Sequence, residues 1–238
     1  MKLLIDAGNS RIKWALVQQN QFIHQGHLRH EEVGQLAHLN QLGSIDEAWG
    51  SLVASDTLGL AIEKASPVSI RWAVSQLKQC GIRNHYPPAH GIDRWLAVLG
   101  ARDYAKGHIV IASLGTALTV EALTEDNDCL GVIIAPGKAL MLNSLVSGTA
   151  RLAREEGHWT AFPCNTPDAL TSGILDALVG AIARFRERFA KHVTCPVSAI
   201  EVILTGGNAA TVEPFLSPPC RIIDNLVLQG LLKVSNDI

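Results

Sequence analysis

The sequence predicts a duplicated α/β fold. The segment "LLIDAGNSRIKWAL" near the start returns about a hundred residues later as "IVIASLGTALTVEAL". Each is an apolar run, a short glycine turn and a second alternating run, with Gly8 over Gly115, Asn9 over Thr116 and Asp6 over Ser113. Strands and helices alternate after each copy, which is the pattern of an α/β sheet. In both copies the glycine turn leads into a second strand. A dinucleotide-binding sheet needs strand, turn, then helix, so the hairpins argue against that arrangement. The halves are expected at 1–90 and 91–238, with no linker between them.

Taken in order, residues 2–7 read as a buried strand, 11–17 as its hairpin partner and 19–28 as a further turn and strand. Residues 31–42 have helical spacing at Val33, Leu36, Ala37 and Leu39. Residues 47–55 read as a strand, 56–65 as a helix with Asp56 near its start, and 67–77 as strand-like. "HYPPAHG" is a loop by its prolines and glycine. In the second half, 91–105 is a helix and 108–113, 117–123 and 129–135 are three strands. Residues 136–148 begin a helix with Pro136 and close it near Gly148. A long amphipathic helix covers 166–192, with Pro167 near its N-terminus. "EVILTGG" is a strand ending in a glycine pair, 208–215 a short helix, and 220–234 completes the fold.

Composition narrows the function. The 238 residues are 47% hydrophobic and 18% charged, enough for one large core or two packed halves. A formal net charge of −2 and the lack of any Lys/Arg run leave no basic face for a nucleic-acid backbone. No apolar stretch is long enough to span a bilayer, and Asp6 comes too early for a signal peptide. Five cysteines without CxxC spacing are expected as reduced thiols in a cytoplasm. Nine histidines show no metal-ligand spacing; His24, His27 and His30 read as surface polar residues. The tryptophans, Trp95 among them, read as core or interface packing.

Three stretches carry chemistry. A glycine turn lets backbone N–H groups face one small volume, and Asn9, Ser10 and Lys13 add donors beside Gly8. A carboxylate at Asp6 does not bind phosphate but holds Mg²⁺ or its waters. This stretch reads as a nucleotide-phosphate cradle or as a plain hairpin with Lys13 exposed; the second copy favours two facing turns around a polyphosphate. In "GIDRW", Asp93 and Arg94 fall in the first turn of a helix. The helix dipole accounts for the acid but disfavours the cation, so Arg94 points to an anionic partner such as a carboxylate. "LTGGNA" is either a close backbone approach to adenine or ribose, or a strand-to-helix turn with Asn208 near the cap.

"DAGNSRIK", "GIDRW", "SLGTALTVE", "GVIIAPG" and "LTGGNA", in this order, resemble the type III pantothenate kinases over residues 2 to about 230. The resemblance implies two ribonuclease-H-like lobes of the actin/Hsc70/sugar kinase superfamily. It implies ATP-dependent phosphorylation of pantothenate to 4′-phosphopantothenate, the first step toward coenzyme A. It places Asp6, Ala7, Gly8, Asn9, Ser10, Arg11, Ile12, Lys13 and Thr116 on ATP, with Asp6 near Mg²⁺. Asp93 is implied as catalytic base, and Gly91, Ile92, Asp93 and Arg94 as pantothenate contacts, Arg94 on the carboxylate. Tyr86 matches a family tyrosine, although the connection to "GIDR" is about two residues shorter here. Thr166 matches a threonine that reaches pantothenate across a homodimer interface. The family needs K⁺ or NH₄⁺.

The departure lies at Ser113, where the family usually has an acid beside the monovalent cation; Glu121 also replaces a usual Asp. Three outcomes are open. The hydroxyl and backbone carbonyls hold the cation, or cation dependence and activity are altered, or a weakened homologue serves as a regulatory or accessory protein.

Overall fold

The computed structural model describes residues 1–86, 90–149, 155 and 157–237. Residues 87–89 of the expected loop lie outside the described residues. The first elements are β1 (Lys2–Ala7), β2 (Ile12–Gln18), β3 (Gln21–Leu28), β4 (Glu47–Leu52), α1 (Asp56–Ala65), β5 (Ile70–Trp72), β6 (Lys78–Gln79), β7 (Ile82–Asn84) and α2 (Ile92–Ala101). They are followed by β8 (Ile109–Leu114), β9 (Ala117–Leu123), β10 (Asp128–Pro136), α3 (Lys138–Gly148), α4 (Thr166–His192), β11 (Glu201–Thr205), α5 (Ala209–Val212), β12 (Cys220–Ile222) and α6 (Leu226–Asn236).

The chain forms two compact units: Met1–Tyr104 with Asn127–Cys129 and Asn225–Ile238, and Ala105–Asp126 with Leu130–Asp224. The units follow packing rather than chain order, so α2 and α6 both belong to the first.

In unit 1 the strand order is β3-β2-β1-β4-β5. β1 pairs antiparallel with β2 and parallel with β4. Side chains alternate along β1. Leu3, Ile5 and Ala7 join Leu36, Leu39, Leu58 and Ile62 in one core, under α1 and 3₁₀ turns at His30–Leu42. Lys2, Leu4 and Asp6 lie on the other face, which packs against α6; Lys2 Nζ bonds the Ser235 carbonyl at 2.9 Å. α2 and α6 cross closely because Gly100 and Gly230 carry no side chain. A Cβ at Gly100 would stand 2.5 Å from the Leu226 carbonyl, and one at Gly230 would overlap the Leu96 carbonyl. Trp95 of α2 is fully buried, and its Nε1 donates to Gln79 Oε1 at 2.7 Å. The hairpin β6–β7 adds to this unit, with β7 pairing to Asp128 and Cys129.

Unit 2 repeats the plan. Its strands run β10-β9-β8-β11-β12, the same order as β3-β2-β1-β4-β5. β8 pairs antiparallel with β9 and parallel with β11, as β1 does with β2 and β4. Val110, Ala112 and Leu114 pack with Ile174, Leu178, Ile182 and Phe185 of α4.

Four local expectations change. Residues 31–42 are 3₁₀ rather than α-helical. Val33, Leu36 and Leu39 recur every three residues, which suits 3.0 residues per turn better than 3.6. Only Ile70–Trp72 of 67–77 forms a strand. Pro136 ends β10, and Gly137 is the N-cap of α3. α2 stops at Ala101 instead of running on to 105.

Gly230→Ala is expected to lower unfolding free energy by about 1–3 kcal/mol, because a methyl there must displace backbone. Gly180→Ala in α4, where nothing lies within 4 Å, should instead gain about 0.5–1 kcal/mol. Urea titration of both variants checks the contrast.

Candidate active site

The site in unit 1 starts from the first hairpin. β1 runs through the core and delivers Asp6, 9% exposed, to its end. The turn closes when the Gly8 N–H donates to the Arg11 carbonyl at 3.2 Å. The Gly8 carbonyl accepts from His30 Nε2 at 3.0 Å, so His30 braces the turn instead of standing as a surface polar residue. The Gly8 amide is thus spent on the turn itself. Asn9, Ser10 and Arg11 form its exposed tip, while Ala7 and Ile12 are fully buried and present no surface to a ligand.

Register does the rest. Lys13 on β2 lies opposite Asp6, and Ser51 on β4 flanks it on the other side. Burial pushes the Asp6 pKa up from 3.8 to about 7; Lys13 opposes this and the charge of Asp93 adds to it. Ser51 also pulls it down, although its Oγ completes no hydrogen bond. Asp6 Oδ1 is buried with no hydrogen-bond partner. An acid so placed lacks positive charge and suits a cation or its waters. Among the described residues no cluster of three His, Cys, Asp or Glu exists. A divalent ion here would take most of its ligands from water and phosphate, as Mg²⁺ commonly does.

The second component is the start of α2. Gly91 is its N-cap, and the Trp95 N–H donates to the Gly91 carbonyl at 3.0 Å. A Cβ at Gly91 would sit 3.1 Å from Asp93 Oδ1 and from Arg94 Nε and Nη2. Glycine therefore lets both side chains fold back over the helix start. Arg94 Nη1 is buried and unpartnered. Ile92 opens the helix, and Tyr86, 42% exposed, stands upstream with its N–H bonded to Asn84 Oδ1 at 3.0 Å. Asp6, Lys13 and Asp93 are thus electrostatically coupled within one unit.

Unit 2 carries the second turn. The Gly115 N–H donates to the Ala117 carbonyl at 3.0 Å, the counterpart of the Gly8 closure. Thr116 lies in that turn, and its carbonyl accepts from the Gly137 N–H at 3.0 Å. Ser113 sits between Thr119 on β9 and Thr205 on β11, so three hydroxyl residues stand abreast. The register sets Ser113 against Thr119 where unit 1 sets Asp6 against Lys13. Acid and counter-charge are replaced together, and the second copy is neutral at both positions. Gly206, with φ of 96°, brings the β11–α5 turn against Leu114, while Gly207 has nothing within 4 Å of its Cβ position. Asn208 is the N-cap of α5, without a side-chain bond.

Thr166 lies elsewhere in unit 2, at the first position of α4. Asn165 caps that helix by accepting from the Asp168 N–H at 2.9 Å. Thr166 is exposed and lines a groove of about 780 Å³ with Met141, Leu145, Cys164 and Leu170. Ser51, His30, Thr119 and Thr205 were not legible as site neighbours in the sequence, because each is brought in by strand register or tertiary packing.

A family profile described as type III pantothenate kinase matches residues 2–188. A type III pantothenate kinase from Chromobacterium violaceum is 48% identical over 239 residues, covering 99% of this chain and 100% of that protein. One from Aromatoleum aromaticum is 36% identical, covering 100% and 98%. Among solved structures, a Campylobacter jejuni protein named for the Baf family of transcriptional activators aligns with a TM-score of 0.67 at 19% identity, covering 98% and 97%. A Sinorhizobium meliloti protein described as a 2-dehydro-3-deoxygalactonokinase aligns with a TM-score of 0.56 at 12% identity, covering 100% and 98%. These structures bear on the fold, which is the two-lobed actin/Hsc70/sugar kinase type.

Because ionised Asp6 is disfavoured in the fold, its contribution is full below its ordinary pKa and is lost as pH rises through about 7. Asp6→Asn is expected to stabilise the metal-free protein at pH 8 by about 0.5–2 kcal/mol. The two proteins should converge near pH 4. Urea unfolding at both pH values measures this.

Proposed function

The chain belongs to the type III pantothenate kinase family, and from that premise we infer how this site phosphorylates pantothenate with ATP to give 4′-phosphopantothenate, the first step toward coenzyme A. The observation that carries the reading is Asp6: a buried acid with an unpartnered oxygen, opposite Lys13 and under the influence of Asp93. Family membership favours the enzyme over a regulatory or accessory role.

Phosphoryl transfer passes through a loose transition state, so alignment and charge neutralisation supply most of the catalysis. Asp93 accepts the hydrogen bond of the pantothenate hydroxyl and takes its proton as the new bond forms. Arg94, held forward by the missing side chain at Gly91, binds the pantothenate carboxylate, with Tyr86 and Ile92 beside it. Lys13 meets the phosphate charge, and the tip residues Asn9, Ser10 and Arg11 offer further donors. Ala7, Gly8 and Ile12 shape the turn, and Thr116 serves ATP. Asp6 would hold Mg²⁺ through its waters, and the ion when bound neutralises the phosphate oxygens.

For the monovalent cation, the oxygen row of Ser113, Thr119 and Thr205 fits K⁺ or NH₄⁺ by donor type, without the family's acid. The groove beside Thr166 and the exposed Leu140, Leu145 and Phe162 support a homodimer across that face. No described helix is long and apolar enough to cross a membrane; the place of work is read as the cytoplasm, with no nucleic-acid partner.

Coupled ADP release tests the assignment: pantothenate should trigger it and other small alcohols should not, and silence with pantothenate would overturn it. Asp93→Asn is expected to cut kcat by about 10²–10⁴-fold with a smaller change in pantothenate KM; kcat near the parent value would remove Asp93 from the role. Ser113→Asp should lower the K⁺ or NH₄⁺ concentration needed for half-activation, and an unchanged titration would move the cation away from this residue.

A further inference from the structure

Beyond the residues assigned above, one buried polar pair stands at the foot of the substrate segment in unit 1. Asn84, 4% exposed, ends β7, and His90, 2% exposed, immediately precedes Gly91. Asn84 Oδ1 accepts from the Tyr86 N–H at 3.0 Å and lies 3.2 Å from His90 Nδ1. A backbone N–H only donates, so the atom it meets is the amide oxygen and not the nitrogen. His90 must then carry its proton on Nδ1 to complete the second bond. Burial, with the Arg94 charge adding to it, pushes the His90 pKa down to about 4, which keeps the ring neutral. The ring stands 5.9 Å from Tyr86 and 5.6 Å from Trp95, and the His90 carbonyl accepts from Ser75 Oγ at 2.6 Å.

One oxygen therefore ties both flanks of the segment. Its first bond sets the backbone of Tyr86, and its second sets the residue from which Gly91, Asp93 and Arg94 continue. We propose that Asn84 and His90 are positioning residues for pantothenate: the shared Asn84 oxygen fixes the separation between Tyr86 and the start of α2, and with it the seat of the substrate. The inference rests on the reading that Tyr86 and residues 91–94 bind pantothenate. A merely structural pair would disturb stability and both substrates alike, whereas this pair acts on one substrate.

The test is steady-state kinetics on the full chain, with pantothenate and ATP titrated separately and melting temperature followed as a control. His90→Asn keeps an N–H donor at the δ position; His90→Gln moves it outward, and His90→Leu and Asn84→Leu remove the tie. The Leu variants should raise pantothenate KM about tenfold and leave ATP KM within about twofold, as loss of a buried hydrogen bond implies. His90→Asn should return pantothenate KM to within about threefold of the parent. Equal rises in both KM values, no change in either, or His90→Asn behaving like His90→Leu would overturn the proposal. Recovery by His90→Gln alone would place the working atom at Nε2 and overturn it in favour of direct substrate contact. Should the Leu variants not fold, the comparison of His90→Asn with His90→Gln decides by itself. A parent protein that releases no ADP with pantothenate removes the functional reading and this inference together; an active parent with unaltered variants removes only the inference.

Discussion

A carboxylate at the end of a buried strand is the constraint on which unit 1 is built. Burying Asp6 raises the free energy of its charged form, and the fold answers only in part. Lys13 is brought opposite it by the hairpin register, Ser51 stands beside it, and Asp93 works against both. The acid is left short of positive charge by design of the sheet, not by a loop accident. Such a deficit is costly while the Asp6 oxygen stands without a partner. The turn around it is closed by Gly8 to Arg11 and braced by His30.

Duplication gives this arrangement a built-in comparison. Both units use the same strand order and a hairpin closed at a glycine, but the second turn is one residue shorter, with Gly8 closing on Arg11 and Gly115 on Ala117. The chemical difference lies in the side chains at one register position. Unit 1 sets acid against base there, and unit 2 sets hydroxyl against hydroxyl. Ser113 therefore faces a cross-strand neighbour, Thr119, that brings no charge to be balanced. A row of hydroxyl oxygens remains, and the acid beside it is the buried Glu121, whose Oε2 accepts from Thr119 Oγ1 at 3.5 Å. This is the physical content of the question that Asp6 and Ser113 raise when the copies are laid over each other.

Much of this was legible in the chain. The two hairpins followed from an apolar run, a glycine and a second run, because local turn chemistry and strand alternation are sequence properties. The long helix from Thr166 to His192 was read from its amphipathic period and its Pro167 start. Asp93 and Arg94 stood out because a cation at a helix start is locally unfavourable. What stayed hidden depends on tertiary pairing. Nothing local says that Lys13 faces Asp6, that Ser51 lies on its other side, or that His30 reaches Gly8. The strands β6 and β7 are two and three residues long, too short for a period to show. Asn84 carries no local signal, and its importance comes from two contacts to one atom.

The packing of α6 on α2 has a consequence for how the molecule comes to exist. Unit 1 closes with Asn225–Ile238, yet all of unit 2 lies before them in the chain. On the ribosome, the strands that carry Asp6 and Lys13 emerge first and wait while more than half of the protein is made. Until the last helix appears, α2 lacks the neighbour against which Gly100 fits, and the face bearing Leu4 and Asp6 has no α6 to cover it. The nascent chain must therefore keep an unfinished lobe soluble through the synthesis of its sibling. Protection of that interval, by quick collapse or by a chaperone, becomes part of what makes the enzyme obtainable.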